Sequence, residues 1–407
     1  MTGEYELLTD AFRCALHGRQ VEWESVSAEE LLSLMRLARE HGVLAMVAEA
    51  VYLCPAVKAH EGLLQRLVSE ARSLTISQAQ RTADFLLFYE YLRGRGLTPI
   101  VTKGVMCRTL YPNPDQRTSV DEDMLIGKGE FEAYHAALTD FGMETAEPGP
   151  PLPDAFEVSF IDREKNLYIE VHKTFFAPGS DAYGDCNKPL EGAADRSVWV
   201  TVDGVPMRTF APTDHLIYLI LHAYKHFLHA GVGIRQVGDI CVFARHYAGR
   251  IDFPRVLREC EGLHVERFAA ALFAIGKEKL DLEIGRDMGF PEVETGPLLF
   301  DILSGGLYGV NDINRAHSST LTLEAAAAER LGRRRKGASA SVFLPRKMLE
   351  GRFPYLRKHP WLLPLAWAQR AWGYLKKRRS GGVQPSESLR IGKERIELMK
   401  KYGLIDR

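Results

Sequence analysis

The sequence predicts an α+β fold in which a small mixed β-sheet is flanked by N-terminal and C-terminal helical regions. Residues 1–95 and 212–332 repeat apolar side chains at the spacing of amphipathic helices. Residues 96–211 instead contain short apolar runs separated by turn residues, which is typical of strands. Residues 333–407 change in composition again, with a basic run followed by a cluster of tryptophans. We therefore divide the 407-residue chain into these four regions.

The N-terminal region, residues 1–95, is predicted to be a helical support for the sheet. Ser27 followed by Glu30 is a capping-box pattern at the start of a helix over 29–40. A second and longer helical pattern extends over 63–93 and ends near two glycines.

The central region, residues 96–211, is predicted to form the sheet. Six runs have the length and composition of strands: 98–102, 121–126, 156–162, 167–173, 197–202 and 205–210. Asp203-Gly204, between the last two runs, is a strong hairpin signal. A helix is predicted over 128–141, and the loop over 147–151 is placed where it can border a site.

One stretch at the start of the central region carries most of the chemistry. The Lys103-Gly104 turn is followed by two carboxylates at alternate positions, Asp121 and Asp123. Alternate residues of a β-strand point to the same face, so these two side chains can aim at one point. Paired carboxylates suit Mg²⁺ together with substrate phosphates, and glycine lets a phosphate approach the backbone closely. The arrangement predicts metal-assisted chemistry on a nucleoside triphosphate.

The same stretch resembles the uncharacterised bacterial nucleotidyltransferases of the polymerase-β-like superfamily. The shared pattern is Lys-Gly, Leu-Tyr-Pro-x-Pro, an arginine and Ser-x-Asp-x-Asp, and residues 103–123 carry it here. The resemblance is strongest over 98–173 and continues more weakly to residue 239. It implies transfer of a nucleoside monophosphate from an NTP to an acceptor hydroxyl, with release of pyrophosphate. It also implies Mg²⁺ or Mn²⁺ as the cofactor.

The resemblance implies a set of site residues as well. The catalytic and metal-binding carboxylates would be Asp121, Asp123 and Glu170, with Glu170 in the place of a third acid that is more often Asp. Nucleotide contacts would come from seven residues: Lys103, Gly104, Arg117, Ser119, His222, Lys225 and Arg235. Glu122 departs from the family pattern, because the residue between the two aspartates is usually apolar. A buried carboxylate is costly, so we expect Glu122 either to have a partner or to lie on a partly open face.

Two of the candidate arginines have other local partners. Arg117 can pair with Asp115 or Glu122 instead of neutralising a departing pyrophosphate. Arg235 can pair with Asp239, which follows it by four residues on a predicted helix. A structural role and a role in binding phosphate are therefore both open for these side chains.

The histidines of the region over 212–332 also allow more than one interpretation. His222, Lys225 and His226 are predicted to share a helix that, by the resemblance, lies beside the sheet and reaches phosphate or acceptor. They are also compatible with the surface or core edge of an ordinary amphipathic helix. His222 and His226 have a two-ligand zinc spacing, but no third ligand or His-Glu-x-x-His motif accompanies them.

Composition and charge narrow the class of protein. The formal net charge is −1, and no basic groove with interleaved aromatics marks a nucleic-acid polymerase. No apolar run has membrane-spanning length, the N-terminus lacks a signal-peptide pattern, and the six cysteines are scattered. We expect a cytoplasmic enzyme whose acceptor is a small molecule, a saccharide, a peptide or a protein. Two rival functions are a catalytically inactive nucleotide-binding or regulatory protein of the same fold and a phosphotransferase that uses the γ-phosphate.

The C-terminal region is predicted to contain an exposed linker over 333–341 and then an aromatic, basic helical segment. Three of the five tryptophans fall within this segment: Trp361, Trp367 and Trp372. Docking of the segment on the protein's own helices, or on a partner, is the expected arrangement. Association with a membrane surface is the alternative that this composition also permits. A flexible stretch from residue 380 and a short charged helix over 388–402 complete the chain.

Overall fold

The fold is seen in a computed structural model that describes the following residues: 3–147, 155–307, 313–333, 346–350, 353–379 and 385–406. The predicted loop over 147–151 and the predicted linker over 333–341 lie outside the described residues, apart from the first residue of each. The stretch from residue 380, which is predicted to be flexible, likewise begins outside the described residues.

The N-terminal region is helical, as predicted. Its helices are α1 (Gly3–Leu16), α2 (Ala28–Glu40), α3 (Leu44–Val51), α4 (Pro55–Lys58) and α5 (Glu61–Gly94). The capping box at the start of α2 is confirmed, because the Glu30 N–H donates to the Ser27 hydroxyl and the Ser27 N–H donates to the Glu30 carboxylate. The last turns of α5 carry Phe85, Phe88 and Leu92, which pack against the sheet.

Among the described residues, seven strands form one mixed sheet. They are β1 (Ile100–Thr102), β2 (Glu122–Leu125), β3 (Glu144–Thr145), β4 (Glu157–Asp162), β5 (Leu167–His172), β6 (Val198–Val202) and β7 (Val205–Thr209). Their order across the sheet is β3-β4-β5-β2-β1-β7-β6. The pairs β2–β5 and β1–β7 are parallel and the other pairs are antiparallel. The six predicted strands are confirmed, and β3 is a further two-residue strand.

Among the described residues, two α-helices lie within the sheet region, and a further set of helices follows it. The first two are α6 (Gly104–Arg108) and α7 (Phe131–Asp140). The next group is α8 (Pro212–His229), α9 (Ile234–His246), α10 (Phe253–Glu261), α11 (Glu266–Leu280), α12 (Gly296–Gly305) and α13 (Ile313–Arg330). The last group is α14 (Arg346–Leu349), α15 (Tyr355–Lys358), α16 (Leu363–Arg379) and α17 (Pro385–Lys401). Helix α17 confirms the predicted charged helix, and it packs along α13. The α+β class is therefore confirmed.

The two faces of the sheet pack against different helices. Val101, Met124 and Val171 belong to an apolar cluster that includes α5 and α7. Asp123 and Glu170 alternate with those residues along β2 and β5, so they point to the opposite face. A second and larger cluster joins the N-terminal helices to α8–α13. The carboxylates therefore lie between the sheet and the helices that follow it.

The segment around α16 has a small apolar cluster of its own. Leu349, Leu356 and Ala366 are buried in it, and Trp367 packs at its edge. Within the described residues, no helix combines the length and the apolar content needed to cross a membrane. All six cysteines are free and buried.

Candidate active site

The register of two parallel strands creates a cluster of metal-ligand type. Asp123 on β2 is paired with Glu170 on β5, so their side chains leave the sheet side by side. His172 follows Glu170 by two residues and points to the same face. Its Nε2 lies 2.9 Å from Asp123 Oδ1 and 3.5 Å from Glu170 Oε2. Sequence reasoning missed His172, although its position two residues after the third acid is a signal that strand periodicity provides.

The Lys103 ammonium lies between the two aspartates of the motif. Its Nζ is 2.7 Å from Asp123 Oδ2 and 3.3 Å from Asp121 Oδ2. Asp121 precedes β2 and joins the site through this lysine. Burial alone would raise the pKa of the Asp121 carboxyl, but the charge and hydrogen bond of Lys103, with help from Arg235, lower this pKa to about 2. Asp121 is therefore ionised throughout the physiological range.

Two histidines of α8 hold Lys103 in place. The Lys103 backbone N–H donates to His215 Nε2 at 3.2 Å, and Lys103 Nζ lies 3.3 Å from His222 Nε2. Burial lowers the pKa of His215 to about 3, so this ring is a neutral acceptor. Burial, and then the nearby Lys103 charge, lower the pKa of His222 well below its ordinary value. The lysine is thus supported by uncharged imidazoles rather than by further cations.

The zinc interpretation of the α8 histidines lacks a third ligand in the described part of the chain. His222 Nε2 and His226 Nε2 are 3.1 Å apart, a separation that two ligands of one ion can have. The only group of three potential metal ligands among the described residues is Asp123, Glu170 and His172. Structural zinc requires four ligands. In the described structure the two rings contact each other, and His222 also contacts Lys103.

Glu122 has the partners that the sequence prediction required. It is buried on the face opposite to Asp123, where it accepts the Val105 N–H at 2.9 Å and the Ser119 hydroxyl at 3.2 Å. Burial raises the pKa of Glu122 to about 6, and the hydrogen bond from Val105 opposes that rise. Ser119 is accordingly engaged in holding Glu122.

The same carboxylate explains why residue 104 is glycine. A Cβ atom at Gly104 would lie 2.0 Å from Glu122 Oε2, and the backbone has a φ of +22°. Contacts this short do not occur between non-bonded atoms, so a side chain cannot be accommodated without displacing Glu122. In this structure, Gly104 provides space for Glu122, which is a reason different from approach to a phosphate.

Arg117 has a partner that neither local prediction identified. Its Nη2 donates to Asp239 Oδ2 at 2.7 Å and its Nε donates to Asp239 Oδ1 at 3.1 Å. The Tyr111 hydroxyl also donates to Asp239, at 2.7 Å. The alternative pairing of Arg117 with Asp115 was wrong, because Asp115 accepts from Arg108 at 2.6 Å. This bidentate pair ties the loop that precedes β2 to helix α9.

Arg235 reaches the loop from α9. Its Nη1 donates to the carbonyl oxygen of Thr118, whereas Asp239 is bound by Arg117. Burial lowers the pKa of Lys225, whereas the nearby acids Glu157, Glu170 and Asp121 oppose this shift.

A small cavity lies beside Lys103, between the Lys-Gly turn and helices α8 and α9. It has a volume of about 20 Å³ and is lined by Arg117, Ser119, Asp121 and Arg235 among others. In the described structure, Arg117 Nη1 and Arg235 Nε have no hydrogen-bond partner in the protein. A volume of this size accommodates about one water molecule. The two arginines thus line an internal space that is large enough for about one water molecule. The side of the site that is open to solvent lies instead at Asp121 and Glu170, whose side chains are partly exposed.

The donor atoms of the site fit a divalent cation. Single ligand atoms from Asp123, Glu170 and His172 all lie within 4.8 Å of one another. Carboxylate oxygens suit Mg²⁺ and Mn²⁺, and imidazole adds affinity for transition metals. Asp121 lies next to the cluster and is bound to the same lysine as Asp123.

Comparison with known proteins agrees with this geometry. The profile of one protein family, described as "Uncharacterised nucleotidyltransferase", matches residues 27–280, more than half of the chain. The matched stretch includes the whole sheet and the helices α8 and α9, and hence every site residue described above. No curated protein and no solved structure matches the chain. The resemblance found in the sequence is confirmed, and the chain belongs to the uncharacterised nucleotidyltransferase family.

Proposed function

We propose that the protein transfers a nucleoside monophosphate from an NTP to a hydroxyl group of an acceptor and releases pyrophosphate. The observation that carries the proposal is the pairing of Asp123 with Glu170 on neighbouring parallel strands, opposite the Lys103 ammonium. This arrangement combines hard oxygen ligands with a cation that can contact phosphate. The acceptor is a small molecule, a saccharide, a peptide or a protein.

The residues of the site have distinct roles in this proposal. Asp123, Glu170 and His172 would hold a divalent cation, Mg²⁺ or Mn²⁺, with Asp121 beside them. When bound, such a cation supplies positive charge that stabilises the transferring phosphoryl group. Glu170 is partly exposed, and in this proposal its carboxylate would accept the proton of an acceptor hydroxyl. Lys103 would move from the aspartates to the triphosphate and compensate its charge there.

The contacts of Lys103 also favour a second candidate function. Its ammonium already neutralises Asp121 and Asp123, at 3.3 and 2.7 Å. A protein that keeps this ion pair in the presence of nucleotide would bind NTP without turnover. It would then be a regulatory nucleotide-binding protein of the same fold.

The discriminating experiment is incubation with labelled NTPs and Mg²⁺ or Mn²⁺, followed by mass analysis of candidate acceptors. Addition of one nucleotide to an acceptor supports the proposal, and addition of one phosphate supports a phosphotransferase. Binding without any product supports the regulatory function. Asp123→Asn should abolish metal-dependent NTP binding, and it should lower thermal stability less than the loss of a sole buried ion-pair partner would, because Lys103 keeps Asp121 as a partner. Asp140→Asn, which changes an exposed acid on α7, is the matched control and should leave both quantities unchanged.

A second test concerns the ammonium of Lys103. Lys103→Met keeps the apolar stem and removes the charge, so Asp121 and Asp123 lose their internal cation. Mn²⁺ should then bind more tightly in the absence of nucleotide, because no ammonium competes for Asp123, while NTP affinity should fall. Titration of free Mn²⁺ by electron paramagnetic resonance and a fluorescent NTP analogue measure the two effects. Unchanged NTP affinity in this variant would show that the lysine is structural.

A further inference from the structure

A stripe of apolar side chains on α16 is exposed to solvent. It is formed by Trp361, Leu365, Ala368 and Trp372, whose spacing of four, three and four residues places them on one helix face. Trp361 lies in the 3₁₀ turn Pro360–Leu362, which runs directly into α16. The exposed fractions are 73% for Trp361, 46% for Leu365 and 71% for Trp372. We call this surface the indole stripe.

The indole stripe is not needed for the folding of its own segment. The opposite side of α16 supplies the segment's small core, in which Ala366 is buried and Leu363 and Trp367 are packed. Their partners are residues of α14 and α15, including Leu349 and Leu356. The two indoles of the stripe therefore lie in solvent, outside the segment's core. Exposed apolar surface of this kind marks an interaction site.

The charge of the segment indicates what kind of surface it meets. Residues 353–379 contain seven of the 52 Lys and Arg residues and none of the 53 Asp and Glu residues. The remainder of the chain consequently has an excess of acid. Four of the seven cations, residues 376–379, form the last turn of α16, directly after the stripe. The partner is thus expected to be anionic and to have an apolar layer that can receive indoles.

We propose that the indole stripe docks on the surface of an anionic lipid bilayer. Tryptophan is enriched at the membrane–water interface, because its ring has an apolar body and a polar N–H. Helices that lie in this interface combine Trp and Leu on one face with Lys and Arg elsewhere. Pairing of the segment with the same segment of a second copy is disfavoured, since it would bring like charges together. A nucleic acid would use the cations but leave the leucine and alanine of the stripe without a role.

The experiment uses the full chain and vesicles of phosphatidylcholine alone or mixed equally with phosphatidylglycerol. We expect co-sedimentation with the anionic vesicles, weakening as salt is raised, and quenching of indole fluorescence by brominated lipid. Trp361→Ser combined with Trp372→Ser should lower binding by about tenfold or more, given the apolar area lost. Trp199→Ser is the matched control, because Trp199 is 54% exposed on β6, and it should leave binding unchanged.

A second pair of variants separates charge from apolar contact. Arg357→Gln combined with Lys358→Gln removes two exposed cations of the segment and should weaken binding to anionic vesicles. Lys188→Gln combined with Lys277→Gln removes two exposed cations elsewhere and should not.

Three results would overturn the proposal. The first is absence of vesicle binding at low ionic strength, and the second is equal binding by the tryptophan double variant. The third is a change in the oligomeric state or in RNA binding of that double variant, without any effect on vesicles. The third result would assign the stripe to a second copy or to a nucleic acid. Circular dichroism of each variant checks that the fold is retained. We expect it to be retained, because the stripe lies outside the segment's core.

Discussion

Gly104→Ala tests the reason for the glycine at the Lys-Gly turn. The added Cβ would lie 2.0 Å from Oε2 and 2.6 Å from the carboxyl carbon of Glu122. Glu122 must therefore move by more than an ångström, and it then loses the hydrogen bonds from Val105 and Ser119. Overpacking costs about 1–3 kcal/mol, and each hydrogen bond to a carboxylate contributes about 1.5–3 kcal/mol. The expected loss is about 4 kcal/mol or more, a large part of the stability of a typical protein.

The assay is urea unfolding at 25 °C, with a control and a rescue. Gly204→Ala is the control, because Gly204 has a φ of +87° but no atom within 4 Å of the added Cβ. Its loss measures the backbone cost of positive φ alone, on the order of 1 kcal/mol. In a Glu122→Ala background the steric cost disappears, so Gly104→Ala should cost no more than the control. If Gly104→Ala alone is as mild as Gly204→Ala, the packing argument fails and the glycine is kept for another reason.

Two further predictions concern buried charge. Asp239→Asn leaves the Arg117 guanidinium buried without its anion, so urea unfolding should show a loss of about 3–5 kcal/mol at neutral pH. Burial acts to raise the pKa of Asp239, but the Arg117 charge outweighs burial and lowers this pKa. The loss of stability should therefore be constant above about pH 5 and become smaller as pH falls toward 3. A pH-independent loss would contradict this assignment. Burial lowers the pKa of His41 to about 4, so the unfolded chain takes up a proton below pH 6.5 that the folded protein refuses. The free energy of unfolding should therefore fall between pH 7.5 and 5.5, and about 1.4 kcal/mol of that loss should come from His41. His41→Gln should remove this part of the loss, whereas His246→Gln, which changes an exposed histidine, should not. Identical pH profiles for the two variants would exclude His41 as the cause.

Much of the secondary structure could be predicted because its causes are local. The Ser27–Glu30 capping box needs only four residues, and the Asp203-Gly204 turn needs two. Strand runs were recognised from alternation and β-branched content, which depend on neighbours along the chain. The two residues of β3 carry no such pattern, since their pairing with β4 defines them as a strand.

The site was predictable only as far as strand periodicity extends. Alternation placed Asp121 and Asp123 on one face, but Asp121 lies just before β2 and reaches the site through Lys103. The proximity of Asp123 to Glu170 and His172 depends on the register of β2 against β5, which is set by packing of the whole sheet.

By itself, the sequence determined the class of fold, the order of its elements and the family, and it predicted the carboxylates of the candidate site. The tertiary structure alone decided the partners of the buried charges. Arg117 had nearby acids to choose from, yet it binds Asp239, which lies 122 residues away in the sequence. Gly104 likewise proved to be required by Glu122 across a turn. The physical reason is that a charge removed from water must be paired wherever the fold brings an opposite charge, whereas local patterns record only neighbours along the chain.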